Sequence, residues 1–576
     1  MNVIENTDNN SLLWRDQIVA FIILFTYLII FSLTLTNVHN YADDAVSWAV
    51  IINNGCPMVH QHHILYFPLA KVIKSIITII TNISTLKLLQ FISAVFGAIG
   101  LTVFYLILRL EKIMQKFAVL WTIILSLTWG YWAYSVEGDV YIPATALLLS
   151  AVFIALLIHR CERKREFIWI LVLILLFCCS VFIHQMAAFS YPGIAFIILT
   201  KDRASFKRRA LLLSVFTICS LVIGMGVYYL FYLYHINKIA SLYPPAMYGN
   251  FWTYCMGYAG GRVTSLGFDI LSTIVKAIAI ALAKGTVGIG RTFVSITPWL
   301  MHPSVYAKVT HMFPDKLLYD DYYVLREYPR WFFYLSLTVL GMLGSIVVGC
   351  FTSIILHIRR IKFKKVRTWL IFIILPFIFS LFWEPDSEEF WIIILPFFVI
   401  IMATFIEGIS TINGVRSIQI NLTVLAIICL FLLNGIGAVI PNMNSNNDYF
   451  WHTKDYLDSM APQDAALTFD HFISWNISLY RAGNERILSS WFFRWDCEPV
   501  LTIERLEEKV DNVVSKGGHL WLDPQFINPD PVNLCVSSRP EMGNVQKIRK
   551  ELLEYVISKY SRMLIIPDST CFGFQP

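Results

Sequence analysis

Long apolar runs alternate with short polar segments from the N-terminus to about residue 440. A run of about 20 apolar residues crosses a bilayer as a helix. Lys and Arg collect between some of these runs, and such clusters mark cytoplasmic loops. With the clusters inside, the pattern predicts about eleven membrane-spanning helices. They are expected at residues 18–36, 87–108, 117–134, 140–158, 167–184, 186–200, 210–235, 331–356, 368–383, 388–407 and 417–440.

Two further apolar stretches carry cations and fit poorly as spans. If residues 63–81 or 276–300 formed a span, the strongly basic loops that follow would lie outside the cell. Lys and Arg are instead enriched in cytoplasmic loops. We therefore expect a juxtamembrane helix at 63–81 and an interfacial or re-entrant helix at 276–300. With this topology the chain has two large outer loops, at residues 37–86 and 236–330.

The pattern changes at residue 441, where long apolar runs stop. Strand-like runs alternate with helical patterns, of which residues 502–518 end in a Gly pair suited to closing a helix. We therefore expect a transmembrane domain at 1–440 and a small extracytoplasmic α/β domain at 441–576. The predicted strands are 465–470, 519–523 and 562–568.

Composition supports a polytopic membrane protein. The chain is 57% hydrophobic and 15% charged, with a mean hydropathy of +0.62. The formal net charge of +6 comes with no basic nucleic-acid-binding motif, so nucleic acid is not an expected partner. The expected location is a bacterial inner membrane with a periplasmic C-terminal domain; the alternative is the endoplasmic reticulum membrane.

Adjacent acids follow the first predicted span. Asp43 and Asp44 would repel each other unless a cation, a shared proton or solvent relieves them. A carboxylate in this position can act as a general base on an acceptor hydroxyl. The alternative is that one of them caps a helix starting at Ala45. The topology also places Glu137 and Asp139 on the same outer face, where they are either site residues or a solvated loop tip.

Several segments resemble the GT-C superfamily of polytopic glycosyltransferases, and the O-mannosyltransferase-like members in particular. The similarity covers about residues 18–200. The segments, in the order of that family, are YADDAVSW with the acid pair, HHILYFPLAKVI from His62, SVEGDVYIPATALLL around Glu137, and SVFIHQMAAFSYPGIAF around His184. One departure is that Ile64, not a Pro pair, follows His62 and His63.

The resemblance implies transfer of a sugar from a polyprenyl-phosphate donor to a protein, lipid or glycan acceptor, with inversion. It implies Asp43 and Asp44 as the catalytic acids. It implies substrate-binding roles for a second set: His62, His63, Glu137, Asp139, Tyr141 and His184. Some GT-C members hold a divalent metal with such acids, so Mg²⁺ or Mn²⁺ at Asp43, Asp44, Glu137 and Asp139 is an open alternative to a metal-free site.

Cations for the donor phosphate are expected on the second outer loop. Lys276, Lys284 and Arg291 recur on one helical face and suit an anionic headgroup, whether the donor's or that of ordinary membrane lipid. His62, His63 and His184 can equally be interfacial side chains. The acidic run from Glu384 to Glu389 is expected to be a solvated loop, with sugar binding as the alternative.

Two other classes of protein share this pattern. A transporter or lipid flippase is also polytopic, but it usually places polar groups near the bilayer midplane. Here the acids gather in outer loops. A non-catalytic envelope scaffold that uses its tail to bind a partner is the other alternative.

Overall fold

The computed structural model describes residues 4–39, 44–53, 62–158, 166–200, 205–238, 250–251, 255, 330–356, 363–383, 389–410, 415–444, 461–468, 487–489, 503–522, 550–551, 553–559 and 564–565. Asp43, Lys276, Lys284 and Arg291 lie outside these residues. The predicted roles of these four side chains therefore stay predictions.

Helices account for most of the described chain. In the first half they are α1 (Ile4–Leu33), α2 (Asp44–Asn53), α3 (Tyr66–Ile77), α4 (Thr85–Leu110), α5 (Gln115–Leu127), α6 (Trp129–Ser135), α7 (Tyr141–Ile158), α8 (Glu166–Ile183), a 3-10 turn (Gln185–Ser190), α9 (Tyr191–Leu199) and α10 (Phe206–Lys238). There follow α11 (Arg330–Leu356), α12 (Phe363–Trp383), α13 (Glu389–Ile392), α14 (Leu395–Ser410), α15 (Val415–Leu430), a π-helical segment (Phe431–Val439) and α16 (Ile440–Asn442).

Six of the described helical segments are long and apolar enough to cross a membrane. Helices α5 and α6, bent by 69° at their junction, make a seventh if the pair is counted as one span. Five shorter apolar helices among the described residues lie within 44–53, 185–199, 338–349, 366–380 and 395–407. Together these segments overlap all the predicted spans. The prediction of a polytopic helical bundle is confirmed, and the count of eleven stays a prediction.

Ring contacts fix the relative direction of two spans. The ring centroids of Phe177 and Phe216 are 5.4 Å apart. Those of Phe182 and Tyr228 are 6.1 Å apart. Since contacts advance along α8 and α10 together, both helices run the same way. The 3-10 turn and α9 therefore lead the chain back from the end of α8 toward the level at which α8 began, and the crossing predicted for residues 186–200 stays a prediction.

Ion pairs gather on one face of the bundle. Arg109 Nε donates to Asp16 Oδ1 at 2.8 Å, and Tyr105 Oη donates to the same atom at 2.8 Å. Arg208 Nε lies 3.1 Å from Glu166 Oε2 and joins the beginnings of α8 and α10. The basic loops of the sequence adjoin these helix ends. Because such loops are cytoplasmic, we call this the basic face and assign it to the inside.

The opposite ends of the helices meet on a second face. The backbone N–H of Asn37 donates to the carbonyl of Asn442 at 2.7 Å, joining the ends of α1 and α16. Gln90 Nε2 donates to the carbonyl of Thr36 at 2.8 Å, and the N–H of Thr36 donates to the carbonyl of Val136 at 3.3 Å. We call this the site face. The chain is a multi-pass membrane protein. That the site face is its outer side stays a prediction from the distribution of Lys and Arg.

Helices α2 and α3 cover part of the site face between α1 and α4. Helix α3 has 12 residues and is about 18 Å long, too short to cross a bilayer. It lies within the stretch predicted to form a juxtamembrane helix. Tyr66, Phe67 and Ala70 are buried against the bundle.

The tail contains a four-stranded parallel sheet. Its strands are β1 (Ala465–Thr468), β2 (Ile487–Ser489), β3 (Leu520–Leu522) and β4 (Leu564–Ile565), in the order β2-β1-β3-β4. Helix α17 (Ile503–Ser515) precedes β3 and is followed by Gly517 at φ +77°, the left-handed closure expected of the Gly pair. The α/β fold of the tail is confirmed, although β2 was not predicted. The domain boundary at residue 441 stays a prediction.

Candidate active site

A short acidic loop, residues 136–140, lies buried between α6 and α7 on the site face. Glu137 is fully buried, and its Oε2 lies 2.9 Å from His39 Nδ1. Its Oε1 accepts a hydrogen bond from the N–H of Gly138 at 2.9 Å. Both carboxylate oxygens are therefore engaged, and Glu137 ties the acidic loop to the segment that follows α1.

The second acid of the loop is less well satisfied. Asp139 is also fully buried, and its Oδ1 accepts from the N–H of Val140. Its backbone carbonyl accepts from Ser93 Oγ at 3.0 Å. The other carboxylate oxygen, Oδ2, has no hydrogen-bond partner among the residues that the structure describes. A buried acceptor without a partner costs about 1–3 kcal/mol, more when it carries charge.

Three other acids act on the Asp139 carboxyl through their charge, and we call Asp44, Glu137, Asp139 and Glu389 the acid cluster. Burial raises the pKa of Asp139 well above its usual value, and the charges of Glu389, Asp44 and Glu137 raise it further. The neighbouring N–H of Val140 opposes this only in part. Asp44 opens α2 and Glu389 opens α13, so helices distant in sequence bring carboxylates to one place. Like charges this close favour a shared proton, a cation or a ligand with several donors.

Aromatic rings line the acid cluster. Tyr141, at the start of α7, donates from its hydroxyl to Glu389 Oε2 at 3.0 Å. The centroid of its ring is 4.5 Å from that of His184 and 6.1 Å from that of Phe390. Tyr66 donates from its hydroxyl to the carbonyl of Gly138 at 3.1 Å. These contacts give the cluster a wall of rings in which the Tyr141 hydroxyl donates to an acid and the Tyr66 hydroxyl donates to the backbone of the acidic loop.

The histidines have defined tautomers. His184 Nδ1 accepts from the N–H of Met186 at 3.1 Å, so the proton of the neutral ring is on Nε2. His63 Nδ1 lies 3.0 Å from the carbonyl of Ile183 and must donate to it, which leaves Nε2 as an acceptor. Burial lowers the pKa of His63 well below its usual value, and the neighbouring His184 and His62 add to the effect. His63 is therefore neutral near pH 7.

Most of the predicted site residues that the structure describes come together. Glu137, Asp139 and Asp44 belong to the acid cluster, and Tyr141 and His184 line it. The His63 ring lies 5.0 Å from that of His184, at an angle of 41°. His62 lies next to His63, but its Nδ1 is 2.8 Å from Gln185 Oε1. This contact ties His62 to the first residue of the 3-10 turn. The solvated-tip alternative for Glu137 and Asp139 is wrong, because both are fully buried.

Two residues of the cluster were not predicted as site residues. Glu389 was assigned to a solvated loop, and His39 was given no role. The one local signal for Glu389 was its place between an acidic run and an aromatic-rich helix start. Its partner Tyr141 lies 248 positions away in sequence, and only the packing of α13 against α7 joins them.

The predicted metal ligands fit a cation only in part. Asp139 Oδ2 is unsatisfied and suits a hard cation. Glu137 has both oxygens bound by His39 and Gly138, and Asp43 lies outside the described residues. Within the described parts of the chain, no three His, Cys, Asp or Glu side chains converge as a metal site. The metal therefore stays a prediction.

Comparison with known proteins gives a limited result. No protein-family model and no curated protein matches the chain. Among solved structures it is similar to the Archaeoglobus fulgidus oligosaccharyltransferase in complex with Zn and sulfate, with a TM-score of 0.45 and 13% identity over 81% of this chain and 62% of that one. This chain thus spans less than two thirds of the length of that oligosaccharyltransferase.

Two more solved structures are similar. One is AglB from Archaeoglobus fulgidus with an inhibitory peptide and a dolichol-phosphate, at a TM-score of 0.41 and 13% identity over 81% of this chain and 64% of that one. The other is apo ArnT from Cupriavidus metallidurans, at 0.35 and 10% identity over 91% and 92%. At such values the likeness decides neither fold nor activity, and both must rest on the geometry above.

Gly138 tests how closely the acidic loop is packed. A Cβ at this position would lie 2.8 Å from Leu89 Cβ and 3.4 Å from Ala45 Cβ, so Gly138→Ala forces the loop away from α4 and α2. We expect a loss of about 1–3 kcal/mol of stability, read as a lower midpoint of thermal unfolding in detergent. The matched control is Gly224→Ala, where nothing lies within 4 Å. Equal midpoints for both variants would show that the loop is loosely packed.

The buried Asp139 predicts a pH dependence of stability. Its raised pKa means that its stabilising contribution is complete below the unfolded value, near 3.8, and is lost as the pH rises through the folded-state value. Asp139→Asn removes this loss. We expect the unfolding midpoint of wild type to fall relative to that of the variant as the pH rises above the unfolded-state pKa of Asp139. Asp511→Asn, at an exposed ion pair with Lys559, is the control and should follow wild type. Parallel curves for wild type and Asp139→Asn would contradict the prediction.

Proposed function

We propose that this protein is a GT-C-like glycosyltransferase that moves a sugar from a polyprenyl-phosphate donor to an acceptor. The proposed place of transfer is the extracytoplasmic surface of the membrane that the protein spans. The observation that carries the proposal is Asp139, a fully buried carboxylate on the site face. One of its oxygens has no hydrogen-bond partner among the described residues, and the charges of Asp44 and Glu389 act on it. Such an oxygen calls for a ligand rich in hydrogen-bond donors, and a sugar is one.

The position of the cluster supports a lipid-linked donor. The acid cluster lies at the ends of the spans, beyond Leu33 of α1 and before Tyr141 of α7, not at their middle. A transporter site is expected near the midplane. A donor held in the bilayer by a polyprenyl chain presents its phosphate and sugar at the end of the spans, which is the level of these acids.

Asp44 is proposed as the general base. Glu137 is already bound by His39 and the N–H of Gly138, and the role proposed for it is to hold the acidic loop. Asp44 lies at the start of α2 and is partly exposed. Its charge raises the pKa of Asp139. A partly exposed carboxylate is reachable by an acceptor hydroxyl, as a base must be. Asp43 is proposed to share this role.

The chemistry is a direct displacement. The acceptor oxygen bonds to the anomeric carbon as its proton passes to the Asp44 carboxylate. The bond between that carbon and the phosphate oxygen breaks, and polyprenyl phosphate leaves with the electron pair. One displacement inverts the anomeric centre, through an oxocarbenium-like transition state. The sugar can be a hexose or a pentose, and the acceptor a protein hydroxyl, a lipid or a glycan.

The remaining site residues are proposed to bind the donor. Asp139 Oδ2 accepts from a sugar hydroxyl, and the ring wall of Tyr141 and His184 packs against the sugar. His184 Nε2–H is a donor suited to the departing phosphate. Lys276, Lys284 and Arg291 are proposed to add positive charge there. The proposed location is a bacterial inner membrane with the tail in the periplasm, or else the endoplasmic reticulum membrane.

Release of polyprenyl phosphate tests the function. Wild-type protein in membranes is incubated with a panel of polyprenyl-phosphate sugars and a membrane extract as acceptor, and free polyprenyl phosphate is measured by mass spectrometry. We expect release by wild type with at least one donor. Asp44→Asn should lower the rate by about 100-fold or more, since general-base catalysis contributes about 10²–10⁴-fold. Asp511→Asn is the control and should retain the wild-type rate.

The outcomes separate the candidate functions. No release with any donor, or equal release by wild type and Asp44→Asn, would overturn the proposal and favour transport or scaffolding. A parallel set with EDTA, and with Mg²⁺ or Mn²⁺ restored, tests the metal. Loss in EDTA that either ion reverses would support a metal at Asp139 and its neighbours, and an unchanged rate would remove it.

Glu389 and Tyr141 should act as a unit in this reaction. Their hydrogen bond is charge-assisted, and bonds of this type contribute about 1.5–3 kcal/mol. Tyr141→Phe and Glu389→Gln should each lower kcat by roughly tenfold or more, and the double variant should be little worse than the more severe single variant. Glu554→Gln, at an exposed pair with Lys550, is the matched control. Losses that multiply in the double variant would show that the two side chains act independently.

A further inference from the structure

Two arginines from different helices contact the last turn of α9, on the basic face. Arg209, in the first turn of α10, donates from Nη1 to the carbonyl of Leu199 at 2.8 Å. Arg367, near the start of α12, has its guanidinium carbon 5.0 Å from the centroid of the Phe196 ring. Phe196 and Leu199 belong to one helical turn. Both guanidinium groups therefore lie at the same end of this short helix.

Neither of these guanidinium groups is neutralised by an acid that the structure describes. Arg208, the neighbour of Arg209 in α10, pairs with Glu166 at the start of α8. Among the described residues, the side chain of Arg209 makes one hydrogen bond and that of Arg367 makes the ring contact, and neither forms an ion pair. A guanidinium group has five N–H donors, so each arginine retains donors for a ligand.

The adjoining loops add to the positive charge. Residues 201–204 and 357–362 lead into α10 and α12, and in the sequence they contain five Lys or Arg and a single acid, Asp202. Like charges gathered in one place repel each other unless an anion lies among them. The two arginines and their surroundings therefore favour an anionic ligand.

An exposed apolar stripe begins beside Arg367. Leu370, Ile374 and Ile378 have 40%, 49% and 41% of their surface exposed. They follow Arg367 at spacings of three, seven and eleven residues, so all four side chains lie on one face of α12. We call the three apolar residues the α12 stripe. It runs from the basic face toward the middle of the bundle, and it suits a ligand that carries a hydrocarbon chain below its anionic group.

We propose that Arg209 and Arg367 bind the phosphate of an anionic phospholipid in the leaflet at the basic face, with an acyl chain along the α12 stripe. Guanidinium groups pair with phosphate oxygens through parallel N–H···O bonds. At 1.5 Å per residue, both arginines lie within about 6 Å of the start of their helix, which is the headgroup level of a span. Basic pockets between spans bind lipid headgroups in this way.

The site is separate from the one proposed for sugar transfer. It lies on the opposite face of the bundle from the acid cluster, so it holds whether or not the chain transfers sugars. One phosphate bound by both arginines joins α10 to α12 across the end of α9. The α12 stripe favours a phospholipid over a free phosphate ion, because an ion without a hydrocarbon chain gains nothing from it.

Native mass spectrometry of the full-length protein tests the site without an activity assay. Protein stripped of lipid in detergent is titrated with phosphatidylglycerol or, separately, with phosphatidylcholine, and the apparent Kd of the first bound lipid is measured. Arg367→Gln removes one exposed guanidinium, and Arg209→Gln with Arg367→Gln removes both. The matched control is Arg15→Gln with Lys116→Gln, which removes two exposed cations from the same basic face. Unfolding midpoints without lipid establish that each variant is folded.

We expect wild type to bind phosphatidylglycerol more tightly than phosphatidylcholine, whose headgroup carries its own cation. Arg367→Gln should weaken phosphatidylglycerol binding by about tenfold or more, as expected for loss of a charge-assisted hydrogen bond, and the double variant should bind more weakly still. The control should stay close to wild type.

Three results would contradict the proposal. If wild type and Arg367→Gln bind phosphatidylglycerol equally, the arginine is not part of a lipid site. If the control loses as much affinity as the double variant, the lipid is attracted by the basic face as a whole. If inorganic phosphate displaces phosphatidylglycerol at a similar concentration, the ligand is a free anion and the α12 stripe contributes nothing.

Discussion

The cost of burying carboxylates away from water shapes the site face. A charged group removed from water is unfavourable unless hydrogen bonds or an opposite charge replace its hydration. Glu137 has such replacements in His39 and the N–H of Gly138. Asp139 has them on one oxygen only. The segment after α1, the start of α4 and helices α2 and α3 all contact this loop, and their arrangement is what keeps both acids dry and close together.

The membrane imposes a second constraint on how the acidic loop is delivered. Within a bilayer a helix can break only where other groups take up the freed backbone bonds. The bend between α5 and α6 occurs at Thr128, and Asn434 Nδ2 donates to the carbonyl of Leu127 at 2.8 Å. Asn434 belongs to the π-helical segment, whose irregular backbone is typical of functional regions. The bend turns α6 across the site face, so the acids after it become buried between helices instead of standing above a span.

The sequence predicted those features that depend on one span or one short motif alone. Apolar length and the distribution of Lys and Arg predicted the spans, and the topology placed Asp44, Glu137 and Asp139 on one face. The burial of the loop acids was harder to predict from sequence, because whether a loop acid is solvated depends on which elements pack over it. Glu389 shows the difference: its acidic neighbours indicate a solvated loop, yet tertiary packing sets it against Tyr141. Strand β2 was also missed, although β3 and β4, which are no longer than β2, were predicted.

The contrast between the two buried acids separates structure from function within one loop. An acid that serves only to hold a loop would be expected to have all its oxygens engaged, as Glu137 has. Asp139 keeps one oxygen that no described residue satisfies, and the charges of Asp44 and Glu389 act on it, an arrangement that weakens the folded state at neutral pH. A neutral Asn would remove that cost while keeping the size of the side chain. Strain retained at such a place is typical of sites where a ligand supplies the missing interactions. The unsatisfied oxygen of Asp139 is therefore a better guide to the centre of the site than the adjacent acids of the first outer loop, which drew attention by sequence alone.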